Sequence, residues 1–187
     1  MKLIPDAISV RVTRLYRTFI QRPWELPLTP NTRPITLHNR PHKIRIIPSL
    51  TDPRIHNTDN GHFHAVDYPL PIGTPVVAVN NGEIIKFVDE HPDKKPNEVS
   101  NDRNINYLMV RDKSSGKIQF YAHLQQGSVS ALGLKVGGLV RARQQISESG
   151  HNGESTAPHL HFGMYEENNN SPNIWGIISV PYKFDHW

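Results

Sequence analysis

From residue 74 onward the chain is a succession of short apolar runs, each closed by turn-forming residues, and this punctuation restricts the fold more than any other feature. "TPVVAV" (74–79), "GEIIKFV" (82–88), "INYLMVRD" (105–112), "KIQFYAHL" (117–124) and "PHLHFGMY" (158–165) are strand-length and rich in β-branched or aromatic side chains. "KIRII" (43–47) reads the same way. Between the runs stand "NNG" (80–82), "DKSSGK" (112–117) and "GHNGES" (150–155), which are turn signals. Helices require apolar residues recurring every three to four positions over longer windows, and such stretches are scarce here. The 16 prolines and 12 glycines agree with many strands joined by turns. The expectation is an all-β fold of many short strands. "VNNGEII" and "VRDKSSGKIQF" read as hairpins, and "EHPDKKPNEVSNDRN" (90–104) and "NNNSPN" (168–173) as polar surface loops.

Ahead of these runs the character changes. Residues 7–22, "AISVRVTRLYRTFIQR", fit either a basic amphipathic helix or a strand, and "RPWELPLTPNTRP" (22–34) is a Pro-rich connector. Residues 1–35 are therefore read as a basic N-terminal extension and residues 36–187 as one domain. Residues 1–55 hold ten Lys or Arg against three Asp or Glu, whereas the remaining residues sum to −3. Such a basic segment reads either as an ordinary solvated surface or as a contact for a membrane surface or an anionic wall polymer; no nucleic-acid partner is expected. No apolar run is long enough to span a bilayer, and Asp6, Arg11, Arg14 and Arg17 interrupt any signal-peptide core. With no cysteine, a bound metal must be held by His, Asp or Glu.

The chemistry concentrates in the histidines. In "STAPHLHF" (155–162), strand alternation sends His159 and His161 to one face and Leu160 and Phe162 to the other. Paired imidazoles can share a metal, or one can bind it while the other moves protons. Asp67 lies in "HFHAVDYPL", flanked by Ala65, Val66, Tyr68 and Leu70. An acid in so apolar a setting requires a cationic, metal or histidine partner. His123 closes the apolar strand "IQFYAHL". Two histidines and a carboxylate with one open position is a ligand set suited to catalytic zinc.

Taken in order, "H…AVDYPLPIGTPVVAVNNGEI…FYAHL…GHNGESTAPHLHF" resembles the lysostaphin-type (LytM-like) zinc endopeptidases, which cut peptide cross-links in bacterial peptidoglycan. The resemblance covers roughly residues 50–165. By position it implies one zinc per chain with Asp67 and His161 as ligands, and His123 and His159 as the two unligated catalytic histidines. The remaining ligand is a histidine upstream of Asp67. Many relatives place it four residues before the Asp, where this chain has Phe63; His56 is the first choice, then His62, then His64. Arg143 and Ser147 stand where relatives usually carry glycine, a substitution that costs about 1 kcal/mol each if the backbone there is left-handed.

The resemblance further implies a two-sheet antiparallel β-sandwich or hybrid barrel of LytM type, peptidoglycan stem or bridge peptides as substrate, a cell-envelope location and a monomer. Water activated by zinc would attack the peptide, with one free histidine taking its proton and the other serving the oxyanion and the leaving amine. No covalent nucleophile is expected, because the residues around Ser155 do not form a G-x-S-x-G elbow. The alternative is a non-catalytic relative of the same fold that activates another wall hydrolase. His38, His42, His91, His151 and His186 have no evident role and are expected at the surface, with His151 at the rim of a substrate groove.

Overall fold

The computed structural model describes residues 35–37, 39–42 and 56–184. The possible helix or strand at 7–22, the connector at 22–34 and the strand expected at 43–47 lie outside them. The described residues form short strands, two single-turn 3-10 segments (Thr58–Asn60 and Ser130–Leu132) and turns, with no α-helix. The strands are β1 (Ile35–Leu37), β2 (Val66–Tyr68), β3 (Pro75–Val77), β4 (Gly82–Val88), β5 (Ser100–Asn101), β6 (Tyr107–Asp112) and β7 (Ile118–Ala122). They continue with β8 (Leu139–Val140), β9 (Gln145–Glu148), β10 (Glu154–Ser155), β11 (Leu160–Glu167), β12 (Ile177–Val180) and β13 (Tyr182–Phe184). The all-β expectation holds.

The longest strand, β11, organises the molecule. Its alternation sends Leu160, Phe162 and Met164, all fully buried, into one core with Val66, Tyr68, Val76, Tyr121 and Ile146. Each such side chain contributes roughly 1.5–3 kcal/mol on burial. His161, Gly163 and Tyr165 face the other way, where Ala65, Tyr107, Phe120, Ala122, Tyr165 and Ile177 form a second core with Trp175 at its margin. The main sheet runs β12-β11-β7-β6-β4-β8, and all its pairings are antiparallel. On the β12 side, the first half of β11 pairs instead with β2. A two-stranded sheet, β3 with β9, brings Val76 and Ile146 to the first core. The parallel pair β1–β13 adds Leu37, Tyr182 and Phe184, and β1 spans the boundary drawn at residue 35.

The turn at "DKSSGK" is the expected hairpin between β6 and β7. Asp112 donates its N–H to the Lys117 carbonyl at 2.7 Å, and Gly116 takes a φ of 70°. The "NNG" turn is not a hairpin: β3 pairs with β9, whereas β4 pairs with β6 and β8, so the chain there crosses from the small sheet to the main one. Local turn residues do not encode which strand a run will pair with. The polar stretch 90–104 is a loop with a two-residue strand, β5, that pairs with β10 just before the histidine pair. Arg143 does hold a left-handed backbone, with a φ of 68°. Ser147 does not: it sits in β9, fully buried, with its hydroxyl 2.6 Å from that of Ser128.

Candidate metal and catalytic centre

The cross-strand register assembles the centre. Asp67 in β2 and His161 in β11 are direct partners, which puts their side chains on one face. Asp67 Oδ1 lies 3.1 Å from His161 Nδ1. His56 arrives from a sharp reversal of the chain. Asn57 caps the Thr58–Asn60 turn, its Oδ1 accepting from the Asn60 amide while its own amide donates to Asn60 Oδ1, and Gly61 closes the turn with a φ of 77°. His56 Nε2 is thereby buried 3.4 Å from Asp67 Oδ1. One ligand atom from each of His56, Asp67 and His161 lies within 4.8 Å of the others.

The other two predicted histidines flank this trio. His159 Nε2 lies 3.8 Å from Asp67 Oδ1, and its ring centroid is 4.2 Å from that of His123. His123 follows β7, whose Ala122 is the opposite neighbour of His161. Its φ of 59° is unusual for a residue with a side chain, and such backbone strain concentrates at functional sites. The strained position is held by Gly150, whose amide donates to the His123 carbonyl at 2.7 Å.

Hydrogen bonds orient both flanking rings. His123 Nδ1 donates to the Asn152 carbonyl at 2.6 Å, and His159 Nδ1 donates to the Ala157 carbonyl at 2.8 Å. Each ring therefore carries its lone pair on Nε2. Asn152 is itself braced: its Oδ1 accepts from the Asn106 amide at 2.8 Å, and its Nδ2 donates to Asp93 Oδ1 at 3.0 Å. The long polar loop thus anchors the residue that aims His123.

Electrostatics favour the charged acid and the neutral forms of His123 and His161. Burial alone would raise Asp67, but the neighbouring His56 and His159 and the His161 hydrogen bond outweigh it and hold its carboxyl well below the ordinary value. Burial, reinforced by repulsion from His159, drives His123 well below the usual imidazole range. Burial also lowers His161, against the opposing pull of Asp67.

The structure brings His56, Asp67 and His161 together and leaves out the other two upstream histidines. His62 Nδ1 is 2.7 Å from Tyr165 Oη, and burial together with His161 pushes its pKa down to about 3. His64 packs edge-on against Phe63, with ring centroids 4.9 Å apart. The donor set suits a divalent metal on this structure's own terms. Among the described residues neither ring nitrogen of buried His56 has a hydrogen-bond partner, although Nε2 faces a carboxylate. His42 and His151 are buried rather than at the surface, and His91 is half-buried. His151 Nδ1 donates to the Lys95 carbonyl at 3.0 Å, so it ties down the loop and does not rim a groove. His38 and His186 lie outside the described residues. Sequence reasoning missed Tyr165, Asn152, Asn106 and Asp93. Only Tyr165 carried a signal, its even spacing from His161 along one strand.

A profile of peptidase family M23 matches residues 61–173, more than half of the chain, and the chain belongs to that family. The match begins after His56. Lysostaphin of Staphylococcus simulans is 38% identical over 104 residues, 55% of this chain and 18% of that protein. Its solved catalytic domain aligns at 32% identity over 57% of this chain and 71% of that domain, with a TM-score of 0.41. Peptidoglycan DD-endopeptidase ShyB of Vibrio cholerae is 33% identical over 105 residues, 56% of this chain and 21% of that protein. The chain thus aligns with about a fifth of the length of these two relatives.

Proposed function

We propose that this chain is a zinc-dependent endopeptidase that hydrolyses peptide cross-links or bridges of bacterial peptidoglycan in the cell envelope. The observation that carries the reading is the convergence of His56, Asp67 and His161 beside two histidines whose Nδ1 atoms are engaged by backbone carbonyls. His56, Asp67 and His161 are the ligands in this reading, and His123 and His159 are the catalytic pair. Zinc, when bound there, supplies a Lewis acid and lowers the pKa of water towards ~7. One of the Nε2 atoms of His123 and His159 accepts the proton of the attacking water. Held on the pair as an imidazolium Nε2–H, that proton would steady the charge developing on the carbonyl oxygen and then be delivered to the leaving amine. The peptidoglycan substrate rests on membership of family M23 and on ShyB being, by name, a peptidoglycan DD-endopeptidase. Residues 1–35 are proposed as a basic extension that contacts membrane or anionic wall polymer, ahead of a monomeric catalytic domain.

Zinc content of protein purified without added metal tests the centre, and release of peptides from purified peptidoglycans tests the reaction. The expected result is one zinc per chain, absent from His56→Ala and still bound by His62→Ala at saturating metal, with turnover only in the zinc-bound protein. A wild-type chain that takes up no zinc on reconstitution overturns the peptidase reading and favours a non-catalytic activator of another wall hydrolase.

A further inference from the structure

Behind His161 a second set of contacts runs away from the ligand trio. His161, Gly163 and Tyr165 occupy the same face of β11, and Tyr165 is fully buried. A Cβ on Gly163 would stand 2.7 Å from Tyr165 Cε2, so the bare glycine is what lets the tyrosine ring lie back along the strand. Tyr165 Oη then sits 2.9 Å from His161 Nε2, the ring nitrogen opposite the one facing Asp67. On its far side Oη lies 2.7 Å from His62 Nδ1. His62 is clamped in turn. Its backbone amide donates to Asn60 Oδ1 at 3.0 Å, and its ring stands edge-on to Trp175 with centroids 6.0 Å apart.

Three atoms in a row share protons in only two consistent ways. A tyrosine hydroxyl has one proton to give and lone pairs to receive. If His161 Nε2 donates to Oη, then Oη donates to His62 Nδ1, and His161 Nδ1 is left bare towards Asp67. If the chain runs backwards, His62 donates, Nε2 accepts, and neutral His161 carries its proton on Nδ1, where it donates to Asp67 Oδ1 at 3.1 Å and must leave before a metal can bind. We propose that the chain His161–Tyr165–His62 receives the His161 proton at Nε2 when Nδ1 gives up its hydrogen bond to Asp67 for a metal, which makes Tyr165 and His62 positioning residues of the centre. This inference rests on the reading of His161 as a ligand through Nδ1. It also assigns His62 a role other than ligand: its Nδ1 must stay unprotonated to receive the tyrosine proton. A hydrogen bond from a ligating histidine's second nitrogen commonly sets ring orientation, and its loss costs about 10–100-fold in metal affinity.

The test is zinc affinity of the full chain by competition with a chromophoric chelator, for wild type, Tyr165→Phe, His62→Leu and His62→Asn, with His161→Ala as the reference for a lost ligand. Nitrogen NMR of the imidazole rings in the zinc-bound protein reads the His161 Nε2 proton directly. Tyr165→Phe and His62→Leu are expected to weaken zinc binding about 10–100-fold. His62→Asn should stay near wild type, because its Oδ1 stands where Nδ1 stood and accepts from the same hydroxyl. In the zinc-bound wild type the His161 Nε2 proton should be protected from exchange by Tyr165 Oη, and Tyr165→Phe should lose that protection. If Tyr165→Phe does not fold, the Leu and Asn variants of His62 decide the matter. Wild-type affinity in both Tyr165→Phe and His62→Leu overturns the inference while leaving the zinc centre intact. Loss of zinc in His62→Asn as complete as in His161→Ala overturns it by making His62 a ligand. A wild-type chain that binds no zinc removes the metal reading, and this inference with it.

Discussion

Replacing Gly163 with alanine puts one methyl group against the ring that backs His161. The new Cβ would stand 2.7 Å from Tyr165 Cε2 and 3.3 Å from both Cα and Cβ of Ala65, so it is blocked on both sides. Tyr165 cannot swing aside freely, because its ring packs edge-on against Phe120 with centroids 5.3 Å apart and its hydroxyl is engaged twice. Overpacking of this kind costs about 1–3 kcal/mol, and two strained buried hydrogen bonds add about 1 kcal/mol each. Alanine recovers roughly 0.5–1 kcal/mol over glycine within a strand. The net expectation is a loss of about 2–4 kcal/mol, read as a fall of about 1–2 M in the urea midpoint. In a Tyr165→Leu background the ring atom is gone, and the same change should cost at least about 1 kcal/mol less. An alanine variant as stable as wild type, or one equally destabilised in both backgrounds, would show that the ring does not depend on the glycine.

Three further outcomes are expected. His123→Ala should keep its zinc while kcat on peptidoglycan falls about 10²–10⁴-fold; loss of the metal alongside activity would reassign His123 to the ligands. Arg143→Gly should be about 1 kcal/mol more stable than Arg143→Ala, since both forfeit the contact from Arg143 Nε to Asn39 Oδ1 and only glycine relaxes the φ of 68°; equal melting temperatures would count against strain at that turn. Burial pushes the Asp112 carboxyl up, but hydrogen bonds from Ser114 and Ser115 outweigh it and hold the group below its ordinary value. A carboxyl lowered on folding contributes stability that is complete above its unfolded pKa of about 3.9 and disappears as pH falls through the folded value. Asp112→Asn should therefore cost about 1–3 kcal/mol at neutral pH, with the gap to wild type closing below about pH 4 in acid titrations of stability; a gap independent of pH would sink the argument.

Much of the centre was legible in the residues. Alternation placed His161 opposite Leu160 and Phe162, and those two are fully buried in the first core while His161 faces the site. The apolar surroundings of Asp67 announced a partnered carboxylate, and its partners are His56, His159 and His161. Burial of His151 was not legible, because the Lys95 carbonyl that its ring meets belongs to a loop whose path no local pattern encodes. The absence of a hairpin at "NNG" has the same origin: the turn chemistry is local, whereas the partners of β3 and β4 are not.

The sequence by itself determined that the described residues would be built from short strands joined by turns, with His123, His159, His161 and Asp67 in or beside them, because side-chain period and turn residues act over a few positions. Only the tertiary structure decided which upstream histidine joins the acid, and that Tyr165 stands behind His161. Asp67 and His161 are 94 positions apart and meet through strand register, and the Asn57–Asn60 turn brings His56 to them while His62 is directed to Tyr165. A periodic pattern reports which face a side chain takes. What it meets there is set by pairing across the sheet.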